Sequence, residues 1–302
     1  MPAPPIQIEG LSKRFSKDVL AVDRLDLTVE EGQVFGLLGP NGAGKTTTLR
    51  MLVGLVRPTA GGSRLFGDVV KPGARALRRV GTLVESPGFV PHLSGLKNLE
   101  LFWRAGGQHL DEADLDGALE VADLGRAISR KVKTYSHGMK QRLGIAQALL
   151  GKPDLLILDE PTTGLDPQQM REMRLLVHSI ANRGATVLLS SHLLGEVEQV
   201  CSHAAVVNRG HVVATGTVAE LVGRATTIYI EVDDVERARA VLSKIPGVRA
   251  VNEEGTGLSI DLEEIDRKEI VAKLVRGGVG VETVMSRHRL EDAFLSMLEE
   301  GS

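Results

Sequence analysis

Hydrophobic and polar positions alternate at the start of the chain. Ile6 and Ile8 are separated by polar residues, and so are Leu25, Leu27 and Val29. Period-two alternation predicts two half-buried strands. The segments that follow read differently. QVFGLLG (33–39), DLLILD (154–159), ATVLLSS (185–191) and HAAVVN (203–208) are nearly continuous apolar runs of strand length. Such runs suit strands covered on both faces, and helical patterns separate several of them. Strands alternating with helices predict an α/β layer fold built on a mostly parallel sheet.

From about residue 90 to 151 the period changes. LKNLELFWRAG and DEADLDGALEVADL are amphipathic at helical spacing, and Met139, Leu143, Ala146 and Leu150 recur every three or four positions. Gly151 and Pro153 stop that last helix. This block predicts a helical subdomain inserted in the α/β domain. After Gly223 the pattern changes again. TTIYIEV (226–232) predicts a strand, and Val235, Ala238, Val241, Leu242 and Ile245 share a helical face. VRAVNEE and GLSIDLE predict a hairpin around Gly255. A helix marked by Ile270, Val271, Leu274 and Val275 and the strand VGVETVM follow. Leu290, Ala293, Phe294, Met297 and Leu298 mark a last helix. The order β-α-β-β-α-β is that of a ferredoxin-like module of about 75 residues. The expected domains are therefore 1–223, carrying the chemistry, and 224–302, a small α+β accessory domain.

Composition narrows the function classes. The 302 residues are 42% hydrophobic and 25% charged, an ordinary globular balance. Aromatics are 3% and the formal net charge is −3, so neither a base-stacking surface nor a basic field points to nucleic acid. The single cysteine, Cys201, has no internal disulfide partner and reads as a small buried hydrophobe. MPAPPIQIEG lacks the basic and apolar regions of a secretory signal. No apolar run approaches the ~20 residues of a membrane span, so a membrane role implies a partner.

The chemistry concentrates in two motifs. GPNGAGKT (Gly39–Thr46) fits G-x-x-x-x-G-K-[ST] and directly follows the strand QVFGLLG; TTTLRMLVGL continues it as a helix. Strand, glycine loop and helix together make a phosphate cradle, in which backbone amides and the helix N-terminus face the anion. Gly39, Asn41, Gly42 and Ala43 form the loop, and Gly44 and Thr47 flank its functional pair. Lys45 can reach the β- and γ-phosphates, and the Thr46 hydroxyl can ligate Mg²⁺. LLILDEP (155–161) places Asp159 at a strand end, where it can hold Mg²⁺. Glu160 comes next, where a general base can take a proton from attacking water.

With these motifs on the page, Ile6 to Gly223 resembles an ABC transporter ATP-binding subunit. YSHGMKQR (135–142) is similar to the family signature, GLDP (164–167) to its D-loop, and SSH (190–192) to its switch. The resemblance implies that Phe15 stacks on adenine with Val22 beside it, and that His192 contacts the γ-phosphate. It also implies that Ser136, Gly138 and Asp166 serve a second ATP-binding subunit, so that ATP and Mg²⁺ are sandwiched between the two. RRVGTLVESPGF aligns with the Q-loop, placing Glu85 where the family normally has glutamine, near Mg²⁺ and the attacking water. His137 stands where the signature usually has glycine, and is expected to pack against the helical insert or the partner. The C-terminal module, ending in LEDAFLSML (290–298), resembles that of exporter ATPases paired with ABC-2-type permeases. Glutamate in the Q-loop is typical of the bacitracin and lantibiotic-immunity group. The resemblance thus implies a subunit on the cytoplasmic face of the membrane. It would drive separate permease subunits for efflux of drugs, peptide antibiotics or lipid-like molecules. The alternatives are an importer ATPase and a soluble ABC ATPase of translation or DNA repair. One phosphate loop, no sustained heptads and the acidic balance weigh against the last.

Overall fold

The computed structural model describes residues 3–85, 88–223, 226–262 and 265–287. By internal contacts the chain divides into Met1–Thr215 and Gly216–Ser302, a division earlier in the chain than the Gly223 boundary read from sequence.

The first unit opens with β1 (Ile6–Arg14), β2 (Leu20–Val29) and β3 (Val34–Leu38), then α1 (Lys45–Leu52). β4 (Ala60–Leu65), β5 (Asp68–Val69) and β6 (Val80–Leu83) follow. The helical insert supplies α2 (Gly95–Ala105), α3 (Leu115–Ala122) and α4 (His137–Leu149). The chain then alternates through β7 (Leu155–Asp159), α5 (Pro167–Asn182), β8 (Thr186–Ser191), α6 (Leu194–Val200) and β9 (His203–Asn208). β10 (His211–Thr217) crosses the division.

Two sheets form the body of this unit. The strand order β10-β9-β3-β8-β7-β6 is parallel through β9, β3, β8, β7 and β6. Every residue of β3 and of β8 is buried, which is why both read as unbroken apolar runs. The second sheet, β2-β1-β4-β5, is antiparallel and alternates buried with exposed residues along β2. Ile6, Ile8, Leu25, Leu27 and Val29 bury their side chains there, in a core shared with Leu49 and Leu52 of α1. β4 carries little apolar signal because it opens AGG. Gly61 sits at φ +67, and a Cβ there would lie 2.1 Å from the Gly10 carbonyl oxygen of β1, so close strand approach requires glycine.

The insert has its own core of Leu99, Trp103, Ala118, Ala122, Leu143, Ala146 and Leu150, with Met139 packed at its edge. These are the positions whose helical spacing marked the block. DEADLDGALEVADL gives a shorter helix than its pattern extends, because Asp114 caps α3 by accepting from Gly117 N–H. Cys201 is buried, and burial pushes its thiol pKa far up, as for a small hydrophobe.

The second unit contains α7 (Val218–Gly223), β11 (Thr226–Val232), α8 (Val235–Leu242), β12 (Val248–Glu254), β13 (Gly257–Leu262), α9 (Arg267–Arg276) and β14 (Val281–Arg287). Its antiparallel sheet has the order β12-β13-β11-β14, the ferredoxin-like arrangement that the β-α-β-β-α-β order predicts. Ile228, Ile230, Ala238, Leu242, Leu258, Ile260, Ile270 and Leu274 fill its core. The expected last helix, LEDAFLSML, lies outside the described residues. No helix among the described residues is long and apolar enough to cross a membrane.

Candidate active site

The C-terminal ends of β3, β7 and β8 lie side by side, as sheet order requires, and deliver the loop after β3, Asp159–Glu160 and Ser190–His192 to one place. Ligand sites of open α/β sheets form at this end. A pocket of about 420 Å³ opens there. Its floor is the loop from Asn41 to Thr47; Glu160, Thr163 and His192 form one wall, and Phe15, Val19 and Ala21 the other.

The loop keeps its shape through glycine. Gly44, immediately before α1, has φ +103, and a Cβ there would lie 2.4 Å from the Ala21 carbonyl oxygen. Lys45 is 5% exposed, and its ammonium donates to the carbonyls of Gly39 (2.7 Å) and Pro40 (3.3 Å). It also lies 3.3 Å from Glu160 Oε1. Glu160 Oε2 accepts from His192 Nδ1 at 2.7 Å and from the Thr163 hydroxyl at 3.1 Å. Burial pushes the Glu160 carboxyl up, but the hydrogen bond from His192 and the charge of Lys45 outweigh it and hold the pKa below the ordinary carboxylate value. Glu160 is therefore ionised at neutral pH, the protonation state a base requires. Its φ of +47 is left-handed, a strained conformation of the kind that gathers at functional sites.

Asp159 is held separately. The register pairs Asp159 with Ser190 across β7 and β8. The Ser190 hydroxyl donates to Asp159 Oδ1 at 2.6 Å and accepts from the Glu160 N–H at 2.9 Å. The Thr46 hydroxyl donates to the same Asp159 oxygen at 3.2 Å. A hydroxyl and a carboxylate at the phosphate loop suit a hard cation such as Mg²⁺, which takes one or two protein oxygens and completes its shell with phosphate and water. No cluster of three His, Cys, Asp or Glu side chains fit for a metal occurs among the described residues.

Several expected residues stand elsewhere. Val22 is fully buried in the core because β2 alternates; the side chains that reach the pocket are Val19 and Ala21. Phe15 lines the pocket, 56% exposed, with the Lys13 ammonium 5.1 Å from its ring centroid. Glu85 does not line the pocket. It pairs with Arg50 of α1, at φ +78. Ser136 caps α4 by accepting from Met139 N–H, and Asp166 caps α5 by accepting from Gln169 N–H. His137 Nε2 lies 3.1 Å from the Thr163 carbonyl oxygen and beside Gly164, and a Cβ on Gly138 would press on Gln169, so within its own chain His137 packs on the segment around the D-loop and not on the helical insert. Ser190, Thr163, Val19 and Arg50 were not picked out from sequence. Ser190 had a signal, standing two residues before His192 at a strand end.

A model of the ABC transporter family matches residues 22–163. The chain is 38% identical to the bacitracin transport ATP-binding protein of Bacillus licheniformis, over 98% of both chains. It is likewise 38% identical to the Nod factor export ATP-binding protein I of Burkholderia lata, again over 98% of both. Among solved structures, the ATP-binding subunit of an ABC transporter matches at 28% identity with a TM-score of 0.63, covering 72% of this chain and 92% of that one. An ATP-binding cassette dimer bound to ADP and phosphate shares the fold, with a TM-score of 0.62 at 22% identity.

Proposed function

The chain belongs to the family of ABC transporter ATP-binding proteins and is an ATPase; from that premise we propose that it powers an exporter of peptide antibiotics or related amphiphiles through separate membrane permease subunits. The identity to a bacitracin transport ATP-binding protein along nearly the whole chain, accessory module included, carries this reading over an importer or a soluble ATPase.

Catalysis follows from the side chains around the loop. Lys45, Thr46 and the loop amides would hold the phosphates, and Thr46 and Asp159 would supply protein oxygens to a Mg²⁺ able to offset charge on the transferring phosphate. Ser190 fixes the Asp159 rotamer from the neighbouring strand. Glu160 is the general base, ionised but engaged by Lys45, His192 and Thr163. It becomes free to accept a proton from water once Lys45 turns from it to the phosphates. His192, already bonded to Glu160, holds the water and γ-phosphate side of the site. Ser136, Gly138 and Asp166 lie outside the pocket of their own chain. In the proposed assembly they face the nucleotide of a second ATP-binding subunit, and Phe15 faces adenine. Glu85 lies on the segment resembling the Q-loop, whose likeness to the family implies a place beneath the permease.

Purification of the tagged chain from membranes tests this reading. Recovery of a polytopic membrane protein in stoichiometric amount, with peptide efflux lost in the Glu160→Gln variant, is the expected result. Recovery without a membrane partner, or with a solute-binding receptor in the complex, would contradict it.

A further inference from the structure

His137 and Gln141 stand one helical turn apart on α4, so both side chains leave the same face of the helix. Each reaches the short segment that follows Glu160. His137 Nε2 lies 3.1 Å from the Thr163 carbonyl oxygen, and Gln141 Nε2 donates to the Pro161 carbonyl at 3.4 Å. A carbonyl oxygen only accepts, so the neutral His137 ring carries its proton on Nε2. The gripped segment is a turn, closed by Thr163 N–H donating to the Glu160 carbonyl at 3.1 Å. That turn brings the Thr163 hydroxyl to Glu160 Oε2, also at 3.1 Å. On the other side of Glu160, the Ser190 hydroxyl accepts its N–H. Glu160 keeps its left-handed φ of +47 between these two anchors.

We propose that His137 and Gln141 are positioning residues for Glu160, acting through this turn: by holding the carbonyls of Thr163 and Pro161 they keep the Thr163 hydroxyl on Glu160 Oε2. This role rests on the proposed reading of Glu160 as the base. Oε2 has two donors, Thr163 and His192, while Oε1 faces Lys45. When Lys45 turns to the phosphates, Oε1 is the oxygen left to take the proton. A fixed Oε2 sets where Oε1 points. Neither His137 nor Gln141 lines the nucleotide pocket, so their loss reaches the chemical step and leaves nucleotide binding alone. The Gln141 contact is buried, whereas the His137 contact is exposed. The net worth of one such hydrogen bond limits the effect of removing His137 to about two- to tenfold in rate.

The test is a double-mutant cycle in the full chain. Wild type, His137→Leu, Thr163→Val and the double variant are compared in single-turnover hydrolysis at saturating Mg·ATP. A fluorescent non-hydrolysable ATP analogue reports binding. His137→Leu should slow hydrolysis about two- to tenfold and leave affinity for the analogue unchanged. In the Thr163→Val background the same change should cost nothing further, because the hydroxyl it positions is gone. His137→Gln, which keeps an Nε2 donor, should restore most of the rate. Gln141→Leu should repeat the pattern of His137→Leu. Light scattering in the Glu160→Gln background separates positioning from subunit contact: His137→Leu there should leave ATP-dependent association unchanged. An unchanged rate in His137→Leu, losses that add in the double variant, or no rescue by glutamine would overturn the positioning role and leave Glu160 as the base. Loss of ATP-dependent association would also overturn it, by assigning His137 to the second subunit. Failure of the base reading shows separately, as wild-type hydrolysis by Glu160→Gln, and would remove the positioning role with it.

Discussion

Replacing Ser190 with alanine should loosen the site from beneath without touching the nucleotide pocket. The hydroxyl is fully buried and does two things at once. It donates to Asp159 at 2.6 Å and accepts the Glu160 N–H at 2.9 Å. Loss of a bond to a charged group costs about 1.5–3 kcal/mol, and an unpaired buried N–H about 1 kcal/mol or more. The Glu160 end is only part-buried, so the total is about 2–3 kcal/mol. Residues 1–215 form the unit that bears this change. For a unit of that size each kcal/mol shifts Tm by about 2–4 °C, so a fall of about 4–12 °C is expected. Scanning calorimetry without nucleotide measures it. Asp159 also loses one of the two hydroxyls that orient it, so the Mg²⁺ half-saturation for nucleotide binding should rise several-fold. A Tm within about 1 °C of wild type, with an unchanged Mg²⁺ titration, would refute the bridging role.

Gly44→Ala should abolish nucleotide binding in a fluorescence titration, because the new Cβ meets the Ala21 carbonyl at 2.4 Å and the backbone at φ +103 resists any side chain. Glu160 has a depressed pKa, so its pairing with His192 and Lys45 stabilises the fold above the unfolded carboxylate pKa, and that contribution fades as pH falls below about 4.5. The Tm advantage of wild type over Glu160→Gln should therefore narrow between pH 6 and 3.5; a constant difference would contradict the pairing. Cys201, buried with its thiol pKa pushed up, should resist alkylation at pH 8 in the native protein and react once unfolded in urea.

Much of the architecture was legible because it rests on local patterns. Strands β3, β7, β8 and β9 are buried on both faces and appear as apolar runs, and the glycine spacing of the loop after β3 announces its own backbone geometry. The insert declared itself through Leu143, Ala146 and Leu150, which meet one core at helical spacing. β4 and β10 were not legible, since AGGSRL and HVVATGT hold few large apolar side chains and owe their conformation to neighbouring strands. Val22 was misplaced for a related reason. Motif order brings β2 to the pocket, but alternation decides which side chains enter it, and that phase turns Val22 inward. Glu85 was recognised as unusual, whereas its partner was hidden. Nothing local links Arg50 to a residue three strands later; only the fold brings the two charges together.

The account turns on Glu160 as the base of a site that closes between two ATP-binding subunits. Light scattering of the Glu160→Gln variant with Mg·ATP, beside single-turnover hydrolysis, measures both halves together. The account predicts an ATP-dependent doubling of mass that persists, with hydrolysis lowered by at least about a hundredfold. A variant that stays monomeric in ATP and hydrolyses it at the wild-type rate would contradict it.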